Sequence, residues 1–298
     1  MQTAIKGARA SIAVENIVFA TDFSPAAANA LLFAVYLAQR FHAALHVVNT
    51  VEPANYSLPP ETWHTADQAR KLESKKVQAT LRTSYPEIKS DVQMWEGTVS
   101  QVLTSAIDRD SADLVVLGTH GRTGVGKLLL GSAAEEILRN APCPVLTIGP
   151  HAQTEPQWQL NDVLYATDFS PASISGARYA IALAHEYNAR LTLLHVVEGR
   201  KTDELVHESD LIESSKRLLA QLVPEGVLRN EVRCEVKLGV PAETILDVAH
   251  QTRAGLIVLG ARRASGVPGA ASHLPVATVH KVIAHAPCPV LTVRHAKS

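Results

Sequence analysis

The sequence is poor in several features that would point to particular classes of protein. It contains three cysteines in 298 residues, with no Cys-x-x-Cys pair and no even set for disulfides, so we expect a reducing cytoplasm. Its 28 basic and 29 acidic residues leave a net charge of −1, without the basic excess typical of nucleic-acid-binding domains. No apolar run approaches the roughly 18 residues of a membrane span, so we expect no membrane segment.

Familiar catalytic and metal-binding motifs are missing as well. There is no Gly-x-Ser-x-Gly elbow and no His-Glu-x-x-His sequence. His273, His280 and His285 fall in one region, but their spacings of seven and five residues do not place them on one helical face. Cys143 and Cys288 are predicted to be small buried core residues. We therefore expect neither a catalytic set nor a metal site.

The chain contains a clear internal duplication. Four motifs recur in the same order, with nearly constant offsets: residues 20–25 (ATDFSP) at 166–171, residues 45–48 (LHVV) at 194–197, residues 114–118 (LVVLG) at 256–260 as LIVLG, and residues 141–147 (APCPVLT) at 286–292. The sequence therefore predicts two copies of one domain, residues 1–150 and 157–298. A linker that contains Pro150 and Pro156 joins them.

Each copy alternates β-rich runs with helical segments. In the first copy this pattern predicts strands at 17–21, 44–49, 91–95, 114–117 and 145–148, and helices at 25–41, within 60–85, at 99–108 and at 133–140. Such alternation predicts a parallel, doubly wound α/β sheet with helices on both faces. Ligands bind such sheets beyond the carboxyl ends of the strands, so the loops after strands one and four are expected to flank one crevice.

A glycine-rich loop follows the fourth strand of the first copy. Residues 118–132 read GTHGRTGVGKLLLGS and precede a helical segment. Glycines allow close approach of the backbone to an anion, and a helix N-terminus favours negative charge. The loop is therefore either a phosphate-binding loop or a long turn. It is not a Walker A motif, because Leu128 stands where Ser or Thr would hold Mg²⁺.

Asp22 follows the first predicted strand, beside the expected crevice. Its carboxylate is suited to accept a hydrogen bond from a ribose hydroxyl or a base amino group. Alternatively, it satisfies N–H groups of the turn before the first helix, a role that Asp168 would repeat in the second copy. The residues alone leave both interpretations open.

The spacing Gly118-x-x-Gly121, nine residues, Gly131-Ser132 resembles the ATP-binding signature of the universal stress protein family. The run 21–24 (TDFS) and the run 141–145 (APCPV) are also similar to that family, and the resemblance covers nearly the whole chain as a tandem two-domain member. It implies two Rossmann-like, adenine-nucleotide α-hydrolase-like domains, each with a five-stranded parallel sheet in the order 3-2-1-4-5.

The resemblance also implies a site for ATP, with Mg²⁺ accompanying the nucleotide. Asp22 would contact the ribose, and the backbone of Val47 on strand two would meet adenine. The phosphates would lie against Gly118, Gly121, Gly131, Ser132 and Ala133. The two domains would pair with each other through their fifth strands, a homodimer is conceivable, and protein partners are unknown.

The second copy departs from the signature. Residues 260–263 read GARR, with Arg263 in the place of the second glycine, and Val276 stands where Gly-Ser should begin the helix. We therefore expect that the second domain does not bind ATP in the family manner, unless Gly266, Gly269 and Ser272 build a different loop for the same purpose.

The sequence thus predicts a cytoplasmic, ATP-binding regulator or sensor of the stress response, with at most weak ATP hydrolysis. One alternative is an interaction protein that uses no nucleotide. Another is an ATP-using transferase or ligase, although residues 21–24 lack the Ser-Gly-Gly-x-Asp-Ser motif of such enzymes.

Overall fold

Strands and helices alternate along the chain, as the pattern of repeated βα units predicts. The computed structural model describes residues 11–51, 60–119, 132–152, 158–198, 208–261 and 276–294. The strands are β1 (Asn16–Thr21), β2 (Ala44–Val51), β3 (Ser90–Glu96), β4 (Leu114–Gly118), β5 (Val145–Ile148), β6 (Asp162–Ala166), β7 (Arg190–Val197), β8 (Val232–Leu238), β9 (Leu256–Ala261) and β10 (Val290–Arg294). The helices are α1 (Pro25–Phe41), α2 (Pro60–Ser84), α3 (Val99–Arg109), α4 (Ser132–Asn140), α5 (Pro171–Tyr187), α6 (Glu208–Ala220), α7 (Pro241–Thr252) and α8 (Val276–His285).

The chain divides into two structural units, residues 13–150 and the part from residue 151 onward. The strands of the first unit lie in the order β3-β2-β1-β4-β5, and those of the second in the order β8-β7-β6-β9-β10. These neighbouring strands are parallel in both units. The predicted doubly wound fold with strand order 3-2-1-4-5 is therefore confirmed for both copies.

Both faces of each sheet are covered by helices. Three consecutive residues of β1, Ile17, Val18 and Phe19, are at most 1% exposed, although successive side chains of a strand point to opposite faces. In the first unit α1 packs on β1 and β4, whereas α3 packs on β1, β2 and α4. In the second unit α5 and α7 make the corresponding contacts. The strand order reverses between β1 and β4, which places the predicted crevice at their carboxyl ends.

The first helix of each copy begins and ends by the same local rules. Ser24 accepts a hydrogen bond from the N–H of Ala27 at 3.2 Å, and Pro25 occupies the first helical turn. The helix stops at His42, whose φ of 54° is left-handed. Ser170 and Asn188 cap α5 in the same way, so that α1 and α5 both contain 17 residues.

The strand register corrects one part of the predicted duplication. Phe19 pairs with Val47 in the first copy, and Tyr165 pairs with Leu193 in the second. Val47 and Leu193 are therefore equivalent, at an offset of 146, whereas matching residues 45–48 with 194–197 needs an offset of 149. That predicted equivalence is wrong by three positions, because a short apolar motif is not specific and the position of a strand is fixed by its neighbour.

The outer strand of the first sheet, β3, receives a contact from a helix. The side-chain Oε1 of Gln78 on α2 accepts a hydrogen bond from the main-chain N–H of Val92 at 3.1 Å. A long helix thus supplies a side-chain partner for a main-chain donor of this strand.

Candidate functional site

The turn between β1 and α1 fixes Asp22 at the carboxyl edge of the first sheet. Asp22 Oδ1 accepts a hydrogen bond from the N–H of Ser24 at 2.9 Å, and Thr21 Oγ1 accepts one from the N–H of Phe23 at 3.0 Å. Phe23 has a left-handed φ of 59°, which tightens the turn. One carboxylate oxygen of Asp22 therefore has the local role that the turn interpretation predicts.

The second copy builds the same turn after β6. Asp168 Oδ1 accepts from the N–H of Ser170 at 3.0 Å, and Thr167 Oγ1 accepts from the N–H of Phe169 at 3.0 Å. Phe169 also has a φ of 59°. This turn accounts for an aspartate in both copies, so the presence of Asp22 does not by itself indicate a ligand.

The neighbouring strand contributes a polar side chain that the sequence did not single out. Asn49, which is 2% exposed, donates from Nδ2 to the main-chain oxygen of Thr21 at 2.8 Å. Its Oδ1 is buried and has no hydrogen-bond partner within the described chain. Asn49 thus holds the end of β1 and keeps an unsatisfied acceptor close to the turn.

His195 occupies the equivalent position in the second copy. Its Nδ1 lies 2.8 Å from the main-chain oxygen of Thr167, and because a carbonyl oxygen only accepts, this nitrogen carries the proton. The imidazole also lies 4.5 Å from the ring of Phe169, centre to centre. The two copies therefore fix the same carbonyl with an amide in one case and an imidazole in the other.

An open pocket of about 290 Å³ lies between the β1–α1 turn and α2. It is lined by Asp22, Phe23, Ser24 and Pro25 of the turn and by Ala69, Arg70 and Glu73 of the helix. Arg70 Nη1 is buried and has no hydrogen-bond partner among the residues that the structure describes. No sequence pattern singles out this arginine, because it lies on a long polar helix among many charged residues.

The structure brings two of the predicted site residues to the same edge. Ala20 of β1 pairs with Leu117 of β4, and one residue further on the strands end at Thr21 and Gly118. Asp22 follows directly after β1. Asp22 and Gly118 therefore both lie where the carboxyl ends of the two central strands meet.

Val47 is not at this edge. It is fully buried in the middle of β2, where it pairs with Phe19 on one side and with Val92 on the other. Four further residues follow before β2 ends at Val51. The adenine contact through the main chain of Val47, which the family resemblance implies, stays a prediction.

The glycine loop itself is outside the described part of the chain. Gly121 and Gly131 lie there, together with the variant loop of the second copy. Ser132 and Ala133 are the first two residues of α4, so this helix begins at the Gly-Ser end of the signature. In the second copy α8 begins at Val276, where the signature is lost.

Two cysteines lie at equivalent positions, before β5 and before β10. Burial raises the pKa of both the Cys143 and the Cys288 thiol to about 12, so both are protonated at neutral pH. Cys288 is 5% exposed, as the prediction of a core residue requires, whereas Cys143 is half-buried. Within the described residues no group of three or more His, Cys, Asp or Glu side chains is arranged to hold a metal ion.

A separate polar cluster joins β2, β3 and α3 of the first unit. His46 Nδ1 lies 3.3 Å from both carboxylate oxygens of Asp91. Arg109 donates from Nε to Asp110 Oδ1 at 2.7 Å, and its guanidinium lies 4.3 Å from the centre of the Trp95 ring. The hydrogen bond to Asp110 raises the pKa of Arg109. These contacts tie the end of α3 to the outer part of the sheet.

Two units with one strand order, each with the same aspartate turn at its carboxyl edge, define a tandem protein of the doubly wound α/β class. A model of the universal stress protein family matches residues 13–149 and, a second time, residues 160–294. The chain belongs to the universal stress protein family, and the resemblance seen in its sequence is confirmed.

Curated relatives match one half of the chain at a time. A universal stress protein of Methanocaldococcus jannaschii is 31% identical over 138 residues, which are 45% of this chain and 81% of the relative. One of Thermus aquaticus is 32% identical over 134 residues, 45% of this chain and 98% of the relative. Both are shorter proteins that correspond to a single copy.

One solved structure is similar along both halves. A universal stress protein of Archaeoglobus fulgidus has a TM-score of 0.71 at 19% identity, covering 96% of this chain and 98% of its own. At that identity the likeness establishes the fold alone. In the described part of the chain, no helix is long and apolar enough to cross a membrane.

Proposed function

We propose that the first domain binds an adenine nucleotide, with ATP as the principal ligand, and that the protein acts as a sensor or regulator of the stress response. The observation that supports this proposal best is the open pocket beside Asp22 at the carboxyl edge of β1. Doubly wound sheets bind their ligands at this edge, where the strand order reverses.

The proposed roles are those that the family signature implies. Asp22 accepts a hydrogen bond from the ribose. Phosphates lie against the N-terminal end of α4, with Gly118, Gly121, Gly131, Ser132 and Ala133 as their contacts and Mg²⁺ accompanying the nucleotide. The adenine contact is proposed on the main chain of β2, from Val47, which is buried in mid-strand, to the residues beyond Asn49.

Regulation is proposed rather than catalysis, because the carboxylates of the pocket are already engaged. Asp22 accepts from the turn, and Glu73 Oε1 lies 2.7 Å from the Nζ of Lys76. Neither is placed as a general base in this arrangement. Slow hydrolysis of bound ATP is the most that this site supports, and a cytoplasmic location suits both the ligand and the reduced thiols.

The second domain is proposed not to bind ATP. Its α8 begins with Val276, which has no hydroxyl to donate to a phosphate and adds bulk at the point of closest approach. A chain with one nucleotide site fits a regulator whose second domain has kept the fold for another purpose.

Calorimetric titration of ATP into the full chain tests the proposal. We expect one nucleotide per chain, and we expect binding to be lost in Gly131→Val, which gives the first copy the residue type of the second. The matched control, Val276→Ala, should bind as the wild type does. If Gly131→Val still binds ATP, the assignment of the phosphate site is wrong. A stoichiometry of two nucleotides per chain would contradict the claim about the second domain. A wild type that binds no nucleotide would favour the interaction-protein alternative.

A further inference from the structure

We propose that Arg70 of α2 is a ribose-binding residue of the nucleotide site, acting on the same sugar as Asp22. This inference rests on the proposed nucleotide binding. It adds α2 to the helices that contact the nucleotide and names the Arg70 guanidinium as the contacting group. It makes recognition of the ribose hydroxyls, beyond the base and the phosphates, a determinant of which ligand the first domain accepts.

The first reason is that one nitrogen of the Arg70 guanidinium lacks a hydrogen-bond partner among the described residues. Its Nη1 is buried without a hydrogen bond in the described chain, which is costly for a charged donor. The acidic residues nearest to it along α2 pair with other cations: Asp67 with Lys71 at 2.8 Å, and Glu73 with Lys76 at 2.7 Å. A guanidinium nitrogen that is buried and that its own helix leaves unsatisfied is well placed to receive an acceptor from a ligand.

The second reason is the shared pocket. Arg70 and Asp22 line the same open space of about 290 Å³, one from α2 and the other from the β1–α1 turn. The pocket therefore presents a charged donor and a charged acceptor to the same ligand. Its occupant must offer groups that both donate and accept.

The chemistry of these two residues selects a hydroxyl. A sugar hydroxyl donates to the Asp22 carboxylate and at the same time accepts from the Arg70 guanidinium. A phosphate would accept from Arg70 but would be repelled by Asp22. A base amino group would donate to Asp22 but accepts nothing itself, so a base would need a separate ring nitrogen to accept from Arg70, whereas one hydroxyl serves both side chains. The 2′- and 3′-hydroxyls of ribose fulfil both requirements.

The second copy offers an internal comparison. Leu81 of α2 and Leu219 of α6 are both fully buried near the ends of their helices. Eleven residues before them stand Arg70 and Glu208 respectively, so the cation of the first copy corresponds to an acidic residue in the second. The fold does not require an arginine at this position, which agrees with a ligand-binding role confined to the first domain.

The experiment is a cycle of protein and ligand changes measured by calorimetry on the full chain. Wild type, Arg70→Met and the neighbouring control Lys71→Met are each titrated with ATP, 2′-deoxy-ATP and 3′-deoxy-ATP. We expect Arg70→Met to weaken ATP binding about tenfold or more, and to have less than a threefold effect on the analogue that lacks the contacted hydroxyl. Lys71→Met should change every affinity less than twofold.

The outcomes separate this inference from the proposed function. If Arg70→Met binds ATP as the wild type does, Arg70 is not part of the site, although nucleotide binding stands. An equal loss for all three ligands would mean that Arg70 acts on the phosphates, and would overturn the ribose assignment. Absence of ATP binding by the wild type would overturn both proposals. Thermal unfolding without nucleotide should be unchanged or shifted to higher temperature in Arg70→Met, because no partner is lost and a buried unsatisfied donor is removed. Arg70→Leu repeats the cycle if that variant does not fold.

Discussion

The first and second domains share one turn and differ in the residues that surround it. Thr21-Asp22-Phe23-Ser24 and Thr167-Asp168-Phe169-Ser170 make the same hydrogen bonds, with lengths that agree within 0.1 Å. At an offset of 146, the first copy has Phe19, Ala27 and Asn49 where the second has Tyr165, Ser173 and His195. The fold therefore fixes the turn, whereas the side chains that surround it are open to specialisation. Function has to be sought in the residues that differ.

The largest difference between the two domains is expected when each turn aspartate is exchanged for alanine. Both Asp22→Ala and Asp168→Ala remove the same turn hydrogen bond, so each should lower the free energy of unfolding by about 1 kcal/mol. Only Asp22→Ala should weaken ATP binding, by at least about tenfold, because it also removes a charge-assisted contact with the ribose. Calorimetry of both variants checks this, with Asp168→Ala as the matched control. Equal effects of the two variants on ATP affinity would reduce Asp22 to a turn residue.

Tyr165→Phe should destabilise the second domain alone. The Tyr165 hydroxyl is buried and donates to the main-chain oxygen of Ser173 at 2.6 Å, and burial raises its pKa. Because Phe19 stands at this position in the first copy, the variant makes the two cores alike. We expect a loss of about 1–2 kcal/mol in urea unfolding, since one buried hydrogen bond disappears without a large cavity.

A second variant, Ser173→Ala, tests the same group of buried hydroxyls. Ser173→Ala gives the second copy the residue of Ala27 and removes a hydroxyl that lies 2.9 Å from Thr167 Oγ1. Because Tyr165 donates to Ser173 and lies beside the Thr167 hydroxyl, the two changes share partners, and their losses should differ from additivity by about 0.5 kcal/mol or more. Losses that add would show that the buried hydroxyls act independently.

The cysteines should behave alike in the two domains as the pH rises. Their folded pKa of about 12 lies above the ordinary value of 9.0, so the thiol form is favoured by folding. Their contribution to stability is complete below pH 9 and is lost as the pH rises from about 9 towards 12, where the unfolded chain ionises first. Urea unfolding at a series of alkaline pH values measures the loss.

Thiol reactivity in the native state provides a control for the cysteine prediction. At pH 8, Cys143 and Cys288 should react with an alkylating reagent much more slowly than Cys234. Cys234 is half-buried, and burial raises its pKa without reaching the values of the other two. Rapid alkylation of Cys288 in the folded chain would contradict its position in the core.

The smallest effect is expected from the polar cluster of the first domain. Arg109→Ala removes contacts with Asp110 and Trp95, but the arginine side chain is 35% exposed, and solvent screens such pairs. We expect a loss of about 0.5 kcal/mol at low salt that decreases as salt is added. The equivalent change in the second domain, Gln251→Ala, should have no measurable effect, and a loss that is independent of salt would show that packing rather than charge is involved.

The sequence predicts the fold better than it predicts the site, and the reason is physical. The bounds of α1 are predicted to the residue, because Ser24, Pro25 and the left-handed His42 are local signals. By contrast, Arg70 and Asn49 matter through neighbours that are distant in sequence. Arg70 lines the same pocket as Asp22, 48 residues away in the sequence, and no periodicity indicates that the two share it.

The error in matching residues 45–48 with residues 194–197 has the same origin. A four-residue motif of apolar residues and one histidine suggested an alignment, but strand register depends on cross-strand pairing that sequence does not display. The turn around Asp22 was predicted correctly as one of two alternatives, and the structure shows that it exists in both copies. The phosphate contacts at Gly121 and Gly131 remain predictions.

The hydrogen bond from Val92 to Gln78 has a consequence for the tendency of this protein to associate with other chains. An outer β-strand whose main-chain donors are open is a template on which other chains can add as further strands, and aggregates grow from such templates. Gln78 of α2 accepts a hydrogen bond from one of these donors on β3, so this donor is not open to pairing with another chain. Helix α2 is proposed to contact a ligand through Arg70. It therefore also lowers the tendency of β3 to pair with other chains.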